Sequence, residues 1–220
     1  MKTRLAIAAL FLCPAPLFAQ GLTDGLELSF YTGYQDAPHS TVSGSDPGGL
    51  GDFSFFADWE GKSLSTPPYY GLRATWWKTD NWGWGVELNH AKIYATEETL
   101  ADNGIDRLEF SDGLNILTAN YARRWPEAFG RFTPYVIGGL GIAVPHVELT
   151  TAGGRTFEYQ LTGPAVEAVA GLSYSFNDRW SAFGEYKFTY SQNKAELDNG
   201  GTLETDVITN AVNLGVAFSF

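Results

Sequence analysis

The final segment of the chain, residues 212–220, alternates apolar with small or polar side chains without a break. Its apolar face carries Val212, Leu214, Val216, Phe218 and Phe220, and its other face carries Asn213, Gly215, Ala217 and Ser219. A period of two is that of a β-strand, because successive side chains point to opposite faces. The pattern therefore predicts a strand with one face in apolar surroundings and an aromatic residue at its end.

The beginning of the chain resembles an export signal. Lys2 and Arg4 precede an apolar run, Leu5 to Cys13, that is too short to span a bilayer. The Leu17-Phe18-Ala19 triplet then offers a small residue for cleavage. We predict that residues 1–19 are a removed signal peptide and that residues 20–220 form one domain. Because Leu12 precedes Cys13, a lipid-modified cysteine is not expected, and the mature chain has no thiol chemistry.

Charge excludes one class of partner. Loss of Lys2 and Arg4 lowers the basic residues from 14 to 12 against 25 acidic residues, a net charge of −13. So acidic a chain is not expected to bind nucleic acid. Aromatic residues make up 15% of the chain, and 25 glycines accompany them, which suits closely packed strands with aromatic belts at membrane interfaces.

Eight segments alternate with a period of two. They lie at about 25–36, 69–78, 83–95, 113–124, 132–149, 156–176, 180–196 and 203–220. Three short turns, at Asp80-Asn81, Pro126–Gly130 and Asn177-Asp178, alternate with longer loops. This asymmetry predicts an all-β fold, an eight-stranded antiparallel transmembrane β-barrel of the outer-membrane type, in a Gram-negative bacterium with both termini periplasmic. Phe220 in the closing strand is then an expected signal for the barrel-assembly machinery.

One further segment, Phe53 to Lys62, also alternates but would give an odd strand count. It is either an extracellular extension of the second strand, broken at Pro67-Pro68, or a hairpin on the rim. Charged side chains fall on inward positions: Glu27, Arg73, Glu87, Glu167, Glu185 and Lys187. Eight strands leave room only for side chains, so these charges are expected to pair and fill the lumen.

Candidate chemistry therefore falls on the rim and the outer wall. The three histidines, His39, His90 and His146, all lie in the half with long loops. Apolar residues within 136–144 face the lipid, and continuing their alternation places His146 and Glu148 on the same outward face. The alternation of residues 166–172, followed backwards, places Glu158 outward as well. The phase of Val86 and Leu88 likewise leads to His90 and Lys92. Polar side chains on this wall are tolerated only near the interface, where the outer leaflet holds lipid A.

These outward residues suggest two kinds of chemistry. His146, Glu148, Glu158 and His90 are the candidate catalytic residues, suited to acid–base work. His146, Glu148 and His90 are also candidate ligands of a divalent or redox metal, although His90 and His146 lie on strands separated by another. Lys92 and Arg73 are candidate contacts for a phosphate or sugar oxygen, and Tyr69 and Trp59 complete the candidate substrate-binding residues. The chain has no HExxH, GxSxG, P-loop or dinucleotide fingerprint.

Several short stretches resemble one family of barrels. They are residues 31–34 (YTGY), 37–40 (APHS), 59–62 (WEGK), 67–73 (PPYYGLR), 89–92 (NHAK), 110–115 (FSDGLN), 145–148 (PHVE) and 157–164 (FEYQLTGP). They are similar to the outer-membrane barrels described as lipid A oxidases, and the similarity extends over most of residues 25–220. The resemblance implies oxidation of the proximal glucosamine of lipid A to 2-aminogluconate with O2 as co-substrate. It supplies no catalytic residue set, so the residues above rest on strand phase.

Two alternatives come from other classes. A lipid A deacylase would need a His-x-Ser pair, whereas His90 and His146 are followed two residues later by Lys92 and Glu148. A non-enzymatic surface barrel for adhesion or envelope integrity would use the long loops at 37–68 and 96–112.

Overall fold

The computed structural model describes residues 23–126 and 128–220, so the predicted signal peptide lies outside the described residues. The strands are β1 Leu26–Asp36, β2 Ser40–Asp46, β3 Gly51–Ala57, β4 Trp59–Glu60, β5 Tyr70–Trp77, β6 Trp82–Ala95, β7 Arg107–Arg124, β8 Phe132–Thr151, β9 Gly154–Tyr159, β10 Gly163–Ser175, β11 Trp180–Glu196 and β12 Thr202–Ser219. One helix, α1 Glu97–Asn103, lies between β6 and β7. Among residues 23–126 and 128–220, no helix is long and apolar enough to cross a membrane.

Eight of the strands close into a ring. The order is β1, β5, β6, β7, β8, β10, β11 and β12, and β12 pairs with β1 from Glu27↔Ser219 to Asp36↔Asn210. Every pairing in the ring is antiparallel. The predicted fold class is confirmed: the chain is an eight-stranded antiparallel β-barrel.

The two faces of the ring differ in chemistry. On β12, Val212 and Leu214 are 63% and 71% exposed, whereas Asn213 between them is fully buried. The same alternation on β1 exposes Leu28 and Phe30 and buries Ser29 and Tyr31. Apolar side chains outside and polar ones inside are the pattern of a barrel that spans a membrane.

Short turns close one end of the barrel. Asn177 accepts hydrogen bonds from the backbone N–H groups of Arg179 and Trp180, both at 2.9 Å, and so forms the predicted turn between β10 and β11. Aromatic pairs lie at the same end, including Trp76 stacked on Trp84 at 4.8 Å between ring centroids. We call this the turn end.

The opposite end carries a crown, which we define as β2, β3, β4, β9 and α1 with the upper ends of the ring strands. It contains segment 53–62, for which the sequence left two interpretations open. β3 pairs with β2 and forms the rim hairpin, and β2 joins the ring through β12. The two residues of β4 pair with β6 beyond the position where β5 ends. They therefore extend the second predicted strand. Each interpretation therefore holds for a different part of the segment.

The lumen of the membrane-spanning part is filled by the predicted ion network. Arg73 forms ion pairs with Glu87 and Glu185, and Lys187 pairs with Glu87 and Glu167. All five side chains are almost completely buried. The sixth predicted member, Glu27, lies nearer the turn end, where its carboxylate is 3.7 Å from Arg124.

The crown is filled differently. Its interior is apolar and includes the fully or almost fully buried side chains of Val42, Ile93, Leu108, Phe110, Val147 and Leu203. The barrel is thus one continuous tube with a charged filling in its middle and a hydrophobic filling above. Below the ion network, a cavity of about 780 Å³ extends from Arg73 to the turn residue Asn177.

Candidate functional site

A bulge in β7 shapes the outer wall. Phe110 and Leu114 are four positions apart, whereas their partners Ile93 and Ala91 on β6 are two apart. The register to β8 shifts in the same place, between Glu109 and Leu114. β7 therefore holds two extra residues here, and Gly113 takes a φ of 117° that favours glycine. The bulge places the side chain of Asp112 in an exposed position, with 51% of its area accessible.

His146 packs beside this bulge. The position follows the outward phase of β8, as predicted, but the imidazole is buried under Phe157 and Tyr159 of β9, with ring centroids at 4.3 and 4.7 Å. Its Nδ1 lies 3.8 Å from Oδ2 of Asp112 and has no hydrogen-bond partner among the described residues. A histidine edge thus faces a carboxylate at the outer surface.

Tyr159 ties the bulge to β9. Its hydroxyl donates to the backbone carbonyl of Asp112 at 2.9 Å. Partial burial, the Asp112 carboxylate and the nearby Tyr70 raise the pKa of this hydroxyl, so it remains a hydrogen-bond donor. Tyr159 therefore fixes the position of Asp112 next to His146.

His90 lies on the other side of the bulge. Its ring stacks on Tyr70 at 5.0 Å, and its Nδ1 lies 2.8 Å from Oδ1 of Asn115. Asn115 donates its amide to the Val144 carbonyl at 3.3 Å, which assigns Oδ1 as the acceptor and Nδ1 of His90 as the donor. The buried Nε2 of His90 has no partner among the described residues. We call His90, Asp112, His146 and Tyr159 the outer-wall cluster.

Glu148 is next to this cluster but is already neutralised. Its carboxylate accepts from Arg155 at 2.7 Å and lies 3.6 Å from Arg107, and only 2% of the residue is exposed. Arg155 also covers the ring of Phe157 at 4.2 Å. Because two guanidinium groups already hold this carboxylate, its predicted catalytic role has less support than a role for Asp112.

The phase predicted for Glu158 is wrong. It lies opposite Val147 in the hairpin of β8 and β9, whereas Tyr159 lies opposite His146. Further along the chain, Gly163 of β10 pairs with Ala143 of β8. The step from Tyr159 to Gly163 is four positions, whereas the matching step on β8, from His146 to Ala143, is three. This single-residue bulge reverses the alternation, and Glu158 faces away from the side of His146 and Glu148.

Two predicted substrate-binding residues lie inside the barrel. Arg73 is buried in the ion network, so it is not available to a lipid phosphate. Tyr69 is 1% exposed, and its hydroxyl accepts from Asn89 at 3.2 Å. Both positions are set by the inward alternation of the strands, which the sequence had already assigned to Arg73.

The other two are covered by the crown. Trp59 stacks on Phe110 and donates its indole N–H to Ser40 at 2.8 Å. Lys92 is 1% exposed, and its Nζ lies 3.5 and 3.4 Å from the carbonyls of Ser65 and Thr66. The loop 61–69 therefore covers Lys92, which holds that loop in place and does not face the membrane.

The proposed metal ligands do not form a three-ligand centre. Register places the α-carbons of His90 and His146 two strands and two residues apart, about 12 Å by ordinary sheet spacing. Throughout 23–126 and 128–220, no group of three or more His, Cys, Asp or Glu side chains could hold a metal ion. The residues present do not fit the redox metal that the sequence suggested.

Sequence reasoning missed Asp112, Tyr159 and Asn115. A signal for the first was present, because an Asp112-Gly113 pair inside a strand pattern is typical of a bulge. Asn115 is brought to His90 by the pairing of β7 with β6, and Tyr159 to His146 by the pairing of β9 with β8. A single strand reveals neither pairing.

Comparisons with known proteins support the fold. No protein-family model and no curated protein matches the chain. Among solved structures, Neisserial surface protein A matches with a TM-score of 0.52 at 15% identity, covering 90% of this chain and 98% of that one. The outer-membrane protein AlkL matches with a TM-score of 0.48 at 13% identity, covering 100% of this chain and 97% of that one. The N-terminal β-barrel domain of Pseudomonas aeruginosa OprF matches with a TM-score of 0.40 at 15% identity, covering 90% of this chain and 98% of that one.

At such low sequence identity, similarity to a solved structure shows only the fold. The closed eight-stranded ring with its apolar outer face, together with the match to Neisserial surface protein A, defines the class of protein. The chain is a small outer-membrane β-barrel.

Proposed function

We propose that this barrel acts on lipid A with its outer wall, and that the reaction is the O2-dependent oxidation of the proximal glucosamine to 2-aminogluconate. The observation that carries the proposal is the outer-wall cluster, in which Asp112 lies beside a buried histidine edge on the lipid-facing side. The sequence stretches that resemble lipid A oxidases include residues 89–92, 110–115 and 145–148, which contain three members of the cluster.

The position of the cluster supports a lipid substrate. Ile142, exposed in the apolar band, and His146 lie on the same strand and share its outward phase. His146 lies four positions beyond Ile142, about 13 Å along the strand, and therefore at the edge of the apolar band. Sugar head groups of the outer leaflet lie at that level if the crown is extracellular. The ion network and the apolar core of the crown support the same conclusion, because they leave no path for a substrate through the barrel.

The chain's own groups suit binding and proton transfer. A histidine paired with a carboxylate can take a proton from a sugar hydroxyl and return it. Tyr70 and Tyr159 flank the two histidines and present aromatic faces to a sugar ring. No step is assigned to a metal, since the donor groups described do not assemble a centre for one.

The overall reaction balances with O2 as the oxidant. Two electrons and two protons leave the hemiacetal carbon and its hydroxyl, giving a lactone and H2O2. Addition of water opens the lactone to the acid. The product therefore carries one oxygen more than the substrate, and this defines the measurement.

The test is mass spectrometry of lipid A from a heterologous host grown in air, with and without the chain. We expect a gain of one oxygen confined to the proximal sugar, and its loss in Asp112→Asn and His146→Ala. Glu204→Gln, an exposed carboxylate of the crown paired with Lys194, is the matched control and should keep the gain. Loss of an acyl chain instead would identify a deacylase.

A second candidate is a non-enzymatic surface barrel, and the ordered crown favours it. Three turns of the crown are joined at Asp46, which accepts from Thr151 at 2.7 Å and from Asn199 at 2.5 Å. A rigid display surface is suited to adhesion or envelope integrity. Unchanged lipid A in a host whose lipid A is a suitable substrate, together with cell adhesion that requires the crown, would support this function.

Orientation and assembly are part of the same proposal. Both described ends of the chain lie at the turn end, where the Phe220 N–H donates to the Leu26 carbonyl at 3.0 Å. Short turns typically face the periplasm. The exposed Phe220 ring then lies where the barrel-assembly machinery can reach it, and protease protection of the turn end in intact cells would test this orientation.

A further inference from the structure

The ion network inside the barrel has an unequal number of charges. Three carboxylates, Glu87, Glu167 and Glu185, surround two cations, Arg73 and Lys187. The five side chains are only 1–5% exposed, and of the five only Arg73 lines the cavity toward the turn end. If all five groups were ionised, the centre of the barrel would hold one uncompensated negative charge, which is costly in a membrane protein.

Two of the carboxylates are fully partnered. Glu87 receives donors from Tyr31, Arg73 and Lys187. Glu185 accepts both guanidinium nitrogens of Arg73, at 3.1 and 2.9 Å. It also accepts the Tyr135 hydroxyl at 2.7 Å and the Asn213 amide at 3.1 Å. Each of these two carboxylates therefore has donors for both of its oxygens.

Glu167 differs from both. Its Oε2 accepts from Lys187 at 2.7 Å, but its buried Oε1 has no hydrogen-bond partner among the described residues. On β7, which is separated from Glu167 of β10 by β8, both side-chain polar atoms of Asn120 and the hydroxyl of Thr118 are also buried and unpartnered. Unpartnered groups of this kind are rare in folded proteins and need an explanation.

The unpartnered oxygens lie close together. A Cβ built on Gly139, the β8 residue between them, would lie 2.3 Å from Oδ1 of Asn120 and 2.9 Å from Oε1 of Glu167. The two oxygens are therefore no more than about 5 Å apart, within reach of a hydrogen bond made directly or through one water. With the Asn120 amide in this orientation, two acceptors face each other, and a proton on Glu167 supplies the donor that is missing between them.

We propose that Glu167 binds one proton in the interior of the barrel, and that its Oε1–H group donates toward Asn120. The proton removes the excess charge and supplies the missing donor. A metal cation is disfavoured, because the Lys187 ammonium already contacts the other oxygen of the same carboxylate and would repel it. Other charged or titratable groups around Glu167 are Glu87 of β6, Arg73 of β5 and, further along the network, Tyr31, Tyr135 and Glu185.

The test compares three isosteric variants of the refolded full-length mature barrel. Glutamine mimics a protonated glutamate, so Glu167→Gln should keep or raise the urea midpoint of unfolding between pH 6 and pH 8. Glu87→Gln and Glu185→Gln remove required anions and should shift the midpoint to lower urea. Equal losses in all three variants would overturn the proposal.

A spectroscopic measurement reads the proton directly. At neutral pH, the infrared spectrum of the native barrel should contain the carbonyl stretch of a protonated carboxylic acid, and the band should be absent in Glu167→Gln. Its absence from the native protein would contradict the proposal. A bound alkali cation would raise the urea midpoint of the native barrel in sodium chloride relative to choline chloride, and would have no such effect on Glu167→Gln. That result would also overturn the proposal.

Discussion

The lumen and the crown solve the same packing problem by opposite means. Inside the membrane-spanning ring, the filling is a set of ion pairs centred on Arg73 and Lys187, whereas inside the crown it is a hydrophobic core. The ring strands are held by a closed hydrogen-bond ladder and by lipid outside, so their lumen can be polar if every charge is paired. The crown has no lipid around it and must bury apolar surface for its own stability. The comparison predicts that damage to the lumen affects the whole barrel and that damage to the crown stays local.

The largest effect is expected from Arg73→Ala. This change leaves two buried carboxylates, Glu87 and Glu185, without their shared cation, and breaking a buried network in this way costs about 3–5 kcal/mol. Urea unfolding of the refolded barrel, followed by tryptophan fluorescence and by gel mobility, should show one cooperative loss. Arg107→Ala is the control, since this half-exposed arginine should contribute less than about 1 kcal/mol. Similar losses in both variants would mean that the lumen network has no special role.

A smaller and more local effect is expected from Leu203→Ala. Leu203 is fully buried in the crown core, and removing such a side chain costs about 2–5 kcal/mol. Hydrogen exchange should increase in β2, β3 and the upper part of β12, while the lower ring keeps its protection. Leu214→Ala, on the same strand but facing outward, should leave the crown unchanged. Loss of protection throughout the ring would show that the crown and the lumen unfold together.

The same contrast explains which parts of the molecule the sequence could predict. Alternation located all eight ring strands and the inward charges, because a regular strand has only two faces. It failed where a strand has extra residues: β7 begins at Arg107 and not at 113, and the predicted strand at 156–176 is divided into β9 and β10. Both errors arise at bulges, after which the phase or the pairing changes.

The candidate site suffers most from these irregularities. His146 and Glu148 keep their predicted phase, yet aromatic rings of β9 cover the histidine and arginines neutralise the carboxylate. Asp112 was missed since it lies within the bulge of β7. Lys92 was assigned to the membrane face, but the loop that covers it is fixed by long-range contacts with β1, such as the bonds between Ser63 and Gln35. Phase predicts direction, whereas accessibility depends on what packs over each position.

The smallest and most selective effect concerns the polar junction of the crown turns. Burial of the Asp46 carboxyl opposes ionisation, but hydrogen bonds from Thr151, the Leu50 N–H and Asn199 outweigh it, so the pKa of Asp46 is lowered. A lowered pKa means that the junction contributes its full stability above the ordinary carboxyl pKa and loses it as the pH falls through the lower value, below about 4.

Asp46→Asn should remove this pH dependence and loosen the crown by about 1–3 kcal/mol at neutral pH, while the ring is unaffected. The measurement is the NMR shift of the Leu50 amide between pH 6 and pH 3, because that N–H donates to Asp46 at 2.9 Å. Asp52→Asn, an exposed carboxylate on β3, should keep the native transition. If the Leu50 transition persists in Asp46→Asn, another group controls the turn, and the crown is then held by its apolar core alone.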